Sequence, residues 1–256
     1  MKSWTWDRVH ILTDFDRTLT KGSSRTSWSL LMYSGLMPEE YSKKRMEYYY
    51  EYRPIEINFE LPEDVRKEKM YEWWTKHLNL FIEFELRESI IQQIVRDPNL
   101  MSFRDGAKDF LKMCECRNIP LIIISAGVGN FIEEFFKYNN CLSENIIIVS
   151  NFINFKNGIA TGFTKKLIHP LNKDEHDVPE HVKRLIEGRP CTLMLGDSID
   201  DIKMILNDNR NKSLKIGFLE EEVERNMNMY KDNFDIVCIG DCSLNEVVKI
   251  LNQHIR

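Results

Sequence analysis

Two carboxylates at alternate positions, Asp14 and Asp16, end the apolar run Val9-His10-Ile11-Leu12, and Thr18 follows two residues later. Like charges this close repel, and burying them unpaired costs several kcal/mol or more. A divalent cation between them would cancel that repulsion. Three further stretches offer polar groups in a comparable setting. Ser125-Ala126-Gly127 follows the apolar run Leu121–Ile124, and Asp197 and Asp201 lie in GDSIDD directly after CTLML. Lys173 closes the irregular stretch that begins at Ile168. Carboxylates for a metal, a hydroxyl beside backbone N–H groups and one lysine are the groups that phosphoryl transfer needs.

To converge, these groups must sit at the ends of neighbouring strands. From Phe103 onward the chain alternates between helix and strand. Helices are expected at Gly106–Arg117, Val128–Tyr138, Glu175–Glu187 and Ile199–Leu206, and at Ser243–Ile255, where Ser243 and Glu246 fit a capping box. Strands are expected at Val9–Leu12, Pro120–Ser125, Asn145–Ser150, Cys191–Gly196, Leu214–Phe218 and Phe234–Ile239. A hairpin over Phe152–Phe163 turns at Lys156-Asn157-Gly158. Apolar strands alternating with helices predict a parallel sheet covered on both faces, with ligands beyond the strands' carboxyl ends.

Between Thr26 and Asp97 the pattern is helical: Ser29–Met37, Glu39–Tyr52 ended by Pro54, Pro62–Leu80 and Leu86–Arg96, with Ile55-Glu56-Ile57 as the one extended piece. The expected organisation is an α/β core, residues 1–23 and 99–256, carrying a helical insertion at 24–98.

The formal charge of −5 argues against a general nucleic-acid binder, and no apolar run approaches membrane-spanning length. The N-terminal stretch lacks the apolar centre of a signal peptide. The six cysteines include no CxxC pair and read as reduced thiols. A cytosolic protein is expected, monomeric or weakly oligomeric.

The order DxDxT, then Ser, then Lys, then GDxxxD resembles the haloacid dehalogenase (HAD) superfamily of phosphatases. The resemblance is closer still to the cytosolic type III, or pyrimidine, 5′-nucleotidases. TDFDRTLT, PIEIN, YEWWTKHLNL, IPLIIISAGVGNFIEEFF, IIIVSNFINF, LIHPLNK, LGDSIDD and LKIGFLEEEVE carry it. It implies a HAD-like Rossmannoid core with a C1-type helical cap that sets substrate specificity. The activity it implies is Mg²⁺-dependent hydrolysis of nucleoside 5′-monophosphates through an aspartyl-phosphate. Asp14 would be the nucleophile and Asp16 the general acid and base. Mg²⁺ would be held by Asp14, the Asp16 carbonyl and Asp197, with Asp201 orienting the metal shell or a water. Ser125 and the Ala126 N–H would grip the phosphate, Lys173 would neutralise it, and Thr18 would brace the loop or bond the nucleophile.

By the same resemblance Glu56 reads the base, since a carboxylate accepts from a nucleobase N–H. Trp74 stacks on it, and neighbouring Trp73, pointing elsewhere on the helix, packs in the cap. A Trp at 74 suits the positively charged 7-methylguanine, because indole is the best cation–π face, and a plain preference for pyrimidine nucleotides is the equal alternative. His77 is expected to be structural. The chain departs from the family at Asp200, where Gly is usual, between Gly22 and Tyr50, and in the loops 174–179 and 205–212. These departures touch the choice of nucleotide more than the chemistry. A HAD phosphatase of phosphoserine or a sugar phosphate is the alternative, and a non-catalytic binding protein on this fold a remote one.

Overall fold

The computed structural model describes residues 4–173, 179–205 and 212–255. Its centre is β1 (Val9–Thr13), whose five residues are all buried, as a strand covered on both faces requires. The remaining sheet strands are β2 (Leu121–Val128), β3 (Ile146–Asn151), β6 (Cys191–Gly196), β7 (Ser213–Leu219) and β8 (Ile236–Ile239). They pair in parallel in the order β3-β2-β1-β6-β7-β8. The chain builds outward from β1 to one side, then returns to β6 and builds to the other. Thr13 is level with Ile123 of β2 and Leu195 of β6, so Asp14, Ser125 and Asp197 emerge together at this switch point.

A separate hairpin, β4 (Ile153–Lys156) and β5 (Ile159–Phe163), turns at Asn157 and Gly158, both at positive φ. An Asn-Gly pair adopts that conformation at little cost, and its twist suits the flanking strands.

Helices α1 (Leu30–Ser34), α2 (Glu39–Glu56), α3 (Glu63–Glu83) and α4 (Glu88–Ile94) form the insertion after β1. On α3 the buried Arg66, Met70, Trp73, Trp74, His77, Leu78 and Phe81 recur at three- and four-residue spacing, the stripe of a helix packed on one side. It faces α2, where Tyr41 stacks near Phe81 and Tyr52 lies parallel to Trp73 at 5.8 Å. The insertion is fastened to the hairpin by backbone bonds: Ala160 N–H to the Leu86 carbonyl and Glu88 N–H to the Gly158 carbonyl.

Helices α5 (Ala107–Cys116), α6 (Gly129–Tyr138), α7 (Glu180–Ile186), α8 (Val223–Asn233) and α9 (Leu244–His254) complete the core. On α6, Phe135 and Phe136 receive the ring of Phe15, which is fully buried between the two acids of the DFD motif. Burying a phenylalanine contributes about 1.5–3 kcal/mol. Phe15 thus anchors the loop on α6.

Several expectations are corrected. Ile55 and Glu56 are not extended: α2 continues through Pro54 to Glu56. The carbonyl that Pro54 deprives of a donor belongs to Tyr50, an exposed position open to water, so the break is tolerated. The Glu56 carbonyl then accepts from Arg66 Nη2 at 2.6 Å, which closes the helix end. The segment Ile199–Met204 is a 3₁₀ helix rather than an α-helix. There the Asp201 carboxylate accepts from Ser198 N–H, and the Ser198 hydroxyl from Asp200 N–H, tightening the first turn. Ser243 caps α9 through Asn245 N–H, whereas Glu246 pairs with Lys249 instead of completing the box. The expected helix ends at 175–178 and 206 lie outside the described residues.

Candidate active site

Strand β2 runs three residues past its expected end, and its register with β3 shifts between Ile124 and Val128. Ser125, Ala126 and Gly127 therefore leave the ladder and form a loop within the strand. The Ser125 hydroxyl accepts from Gly127 N–H at 3.0 Å. Asn151, at the end of β3, donates to the carbonyls of Ala126 (2.9 Å), Gly127 (3.1 Å) and Ile168 (2.8 Å) and accepts from Ile168 N–H. One buried amide thus ties this loop to the segment that carries Lys173. Sequence reading missed Asn151; the signal was a polar residue closing the apolar run IIIVSN.

Past Ile168 a short 3₁₀ turn, Pro170–Asn172, is capped reciprocally by His169 and Asn172, and Lys173 follows. The buried Lys173 ammonium reaches Asp14 Oδ1 at 2.7 Å and Asp201 Oδ1 at 2.9 Å. Burial opposes its charge, but the two carboxylates outweigh burial and raise its pKa. Asp201 is raised to about 6, chiefly by burial, with Lys173 pulling the other way.

Oxygens of Asp14, Asp197 and Asp201 lie within 4.8 Å of one another. Lys173 compensates two of them. Among the described residues no donor contacts the Asp197 carboxylate, whose pKa burial and its two neighbours push well up. Three acids, one of them uncompensated, fit a hard cation with oxygen ligands. Asp201 has both oxygens engaged, by Lys173 and Ser198 N–H, whereas among the described residues the Asp197 carboxylate accepts no hydrogen bond. Gly196 permits this arrangement, since a Cβ there would lie 2.5 Å from Asp201 Oδ2.

Asp16 is held by a different partner. Its carboxylate accepts Ser27 N–H at 2.9 Å and 3.1 Å and the Ser27 hydroxyl at 2.8 Å. Burial and the Asp14 charge raise it to about 7. Among the described residues the buried Thr18 hydroxyl has no hydrogen-bond partner and does not bond Asp14. The loop is braced by Thr20, whose hydroxyl accepts Arg17 N–H at 2.8 Å, and by Arg104, which bonds the Thr18 carbonyl. Arg104, fully buried, donates to the carbonyls of Thr18 (2.8 Å), Arg17 and Cys242 (3.1 Å) and to Glu220 (2.5 Å).

The pyrimidine 5′-nucleotidase (UMPH-1) family model matches residues 12–255. The chain belongs to this family. It is 37% identical over 260 residues to the human 7-methylguanosine phosphate-specific 5′-nucleotidase, covering 97% of this chain and 85% of that one. The Drosophila melanogaster enzyme of the same description is 34% identical, with 92% and 76% covered. The crystal structure of cytosolic 5′-nucleotidase IIIB bound to cytidine superposes with a TM-score of 0.85 at 32% identity, covering 97% of this chain and 86% of that one. A phosphoserine phosphatase superposes at 0.60 with 20% identity, a likeness of fold. The protein is a phosphomonoester hydrolase with the HAD fold. Among the described residues no helix is long and apolar enough to cross a membrane, and all six cysteines are free thiols.

In this 5′-nucleotidase, Trp74 lies beside the Ser125-Ala126-Gly127 loop: its indole N–H donates to the Ala126 carbonyl at 2.7 Å. Trp28, which sequence reading passed over, donates to the same oxygen at 2.8 Å. Trp74 meets Trp28 and Trp73 edge to face, and among the described residues no ring lies parallel on it. Trp73 is buried against Tyr52 of α2. Glu56 pairs with Arg53 on the last turn of α2, and Glu221 pairs with Arg17 of the DFDRT loop at 2.9 Å. His77 is buried, and burial lowers its pKa to about 3. Asp200 pairs with Lys203, which also reaches Glu63 at the start of α3.

Proposed function

We propose that this 5′-nucleotidase hydrolyses 7-methylguanosine 5′-monophosphate and pyrimidine nucleoside 5′-monophosphates, with residues 24–98 acting as the cap that selects the base. The observation that carries the reading is the Trp74–Ala126 hydrogen bond. It holds an indole of the insertion directly against the loop that would grip phosphate. A positively charged methylated base gains most from such a ring, and a cytosine or uracil stacks on it as well. Glu56 would accept from the base, displacing its bond to Arg53.

Asp14 would attack phosphorus as its Oδ–P bond forms and the bond to the nucleoside 5′-oxygen breaks. Asp16 would pass its proton to that oxygen. A water then attacks the aspartyl-phosphate, Asp16 takes its proton, and phosphate leaves as the Asp14–phosphorus bond breaks. Ser125 and the Ala126 N–H would hold the phosphate oxygens, and Lys173, already charged beside Asp14, would neutralise them. Asp14, Asp197 and the Asp16 carbonyl would hold Mg²⁺, which supplies charge neutralisation for nucleophile and phosphate. Asp201 would orient Lys173 and the metal shell. A cytosolic place accords with the free thiols.

The test is phosphate release from 7-methylguanylate, cytidylate, uridylate, phosphoserine and a sugar phosphate, with Mg²⁺ and an Asp14→Asn control. Nucleotides should be cleaved and the control should lose about 10⁴-fold or more in kcat. Cleavage of phosphoserine alone would transfer the chain to the alternative substrate. Equal, trace release by both proteins would overturn the enzyme mechanism.

A further inference from the structure

Among the described residues Ser27 supplies every hydrogen bond that the Asp16 carboxylate accepts: two from its N–H and one, at 2.8 Å, from its hydroxyl. The same hydroxyl accepts Val128 N–H at 3.2 Å, where β2 resumes after the Ser125-Ala126-Gly127 loop. Ser27 is buried. Its neighbour Trp28 donates to the Ala126 carbonyl, and the Trp28 carbonyl accepts Arg45 Nε of α2 at 3.2 Å. Two consecutive residues at the entrance to the insertion therefore hold the carboxylate and the loop together. Gly127 makes the approach possible, because a Cβ there would lie 2.1 Å from Ser27 Oγ.

We infer that Ser27 is a positioning residue, aiming the Asp16 carboxyl at the ester oxygen and tying that aim to the seating of the insertion on the core. The inference rests on the nucleotidase reading above. In the first step the Asp14 Oδ–P bond forms, the P–O5′ bond breaks, and the Asp16 proton goes to O5′. The electron pair left on Asp16 is then held by Ser27 N–H and O–H. Without the hydroxyl the carboxyl can turn about its Cβ–Cγ bond, and the proton is no longer directed at the leaving oxygen.

The discriminating readout is leaving-group chemistry. An alkyl 5′-oxygen needs a proton to depart, whereas p-nitrophenolate does not. The quantity to compare is kcat/KM, which covers steps through departure of the alcohol. For Ser27→Ala we expect a loss of about 10²-fold on cytidylate or 7-methylguanylate, a change within about threefold on p-nitrophenyl phosphate, and recovery in Ser27→Thr. Combined with Asp16→Asn, Ser27→Ala should add no further loss on the nucleotide. Ser27→Cys, of similar size with a weak donor, should show the same pattern and serves if the alanine variant fails to fold by circular dichroism. Equal losses on both substrates would reduce Ser27 to a structural role and overturn the inference, as would no loss on either. A wild-type protein that cleaves no nucleotide would overturn the function itself, and the inference with it.

Discussion

At the scale of single residues, the site depends on how closely a few atoms approach. Gly127→Ala would set a methyl 2.1 Å from Ser27 Oγ and 3.0 Å from Ser125 Oγ, so both hydroxyls must yield. Such crowding costs about 1–3 kcal/mol, and urea unfolding should read that loss alongside a disproportionate fall in kcat/KM. His77 provides a pH-dependent test. In the native state it stays neutral down to about pH 3, whereas the unfolded residue charges near 6.5. The unfolded chain therefore binds more protons between those limits, and this contribution to stability is lost as pH falls below about 6.5. By pH 5 the loss amounts to about 2 kcal/mol. His77→Gln should accordingly lose less stability than wild type between pH 7.5 and pH 5 in chemical denaturation, since the raised acids titrate alike in both. The residues legible in sequence were those that interrupt an apolar run: Asp14, Asp16, Ser125 and Asp197. Ser27 was not, because nothing near it in sequence marks a serine that meets Asp16 and Val128 only after folding.

At the scale of elements, the DFDRT loop is held by groups remote in sequence. Arg104 lies 86 residues from Thr18 and 138 from Cys242, yet its buried guanidinium closes the loop onto the ends of β7 and β8. Arg104→Met would leave Glu220 and three carbonyls short of a donor. Breaking a buried ion pair in this way costs about 3–5 kcal/mol, and equilibrium unfolding should show it. The strands were readable because each is a short apolar run between turn signals. The end of α2 was not. Pro54 reads as a stop, but the exposed Tyr50 carbonyl tolerates it and Arg66 closes the last turn. Local propensity yielded there to a contact between helices. The loop within β2 was equally hidden, since Asn151 on the neighbouring strand, not the SAG sequence, takes up its carbonyls.

At the scale of the whole molecule, the sheet brings four acids and one lysine to the same end. Among the described residues Lys173 pairs directly with Asp14 and Asp201 and not with Asp197, so the cation is expected to matter more for chemistry than for folding. Treatment with EDTA should abolish phosphate release and added Mg²⁺ restore it, while thermal unfolding stays cooperative without metal; a chain that unfolds on chelation would contradict this. By itself the sequence determined the strand order of chemistry: two acids after the first strand, a hydroxyl after the second, a lysine, then two further acids. That much is local, because an apolar run ending in a charge has few places to go except a strand's end. The tertiary structure alone decided which groups touch: Lys173 with Asp14 and Asp201, Ser27 with Asp16, Trp74 with Ala126. Those pairings join residues from 11 to 159 positions apart, and the packing of Phe15, α6 and the insertion against the sheet sets their distances.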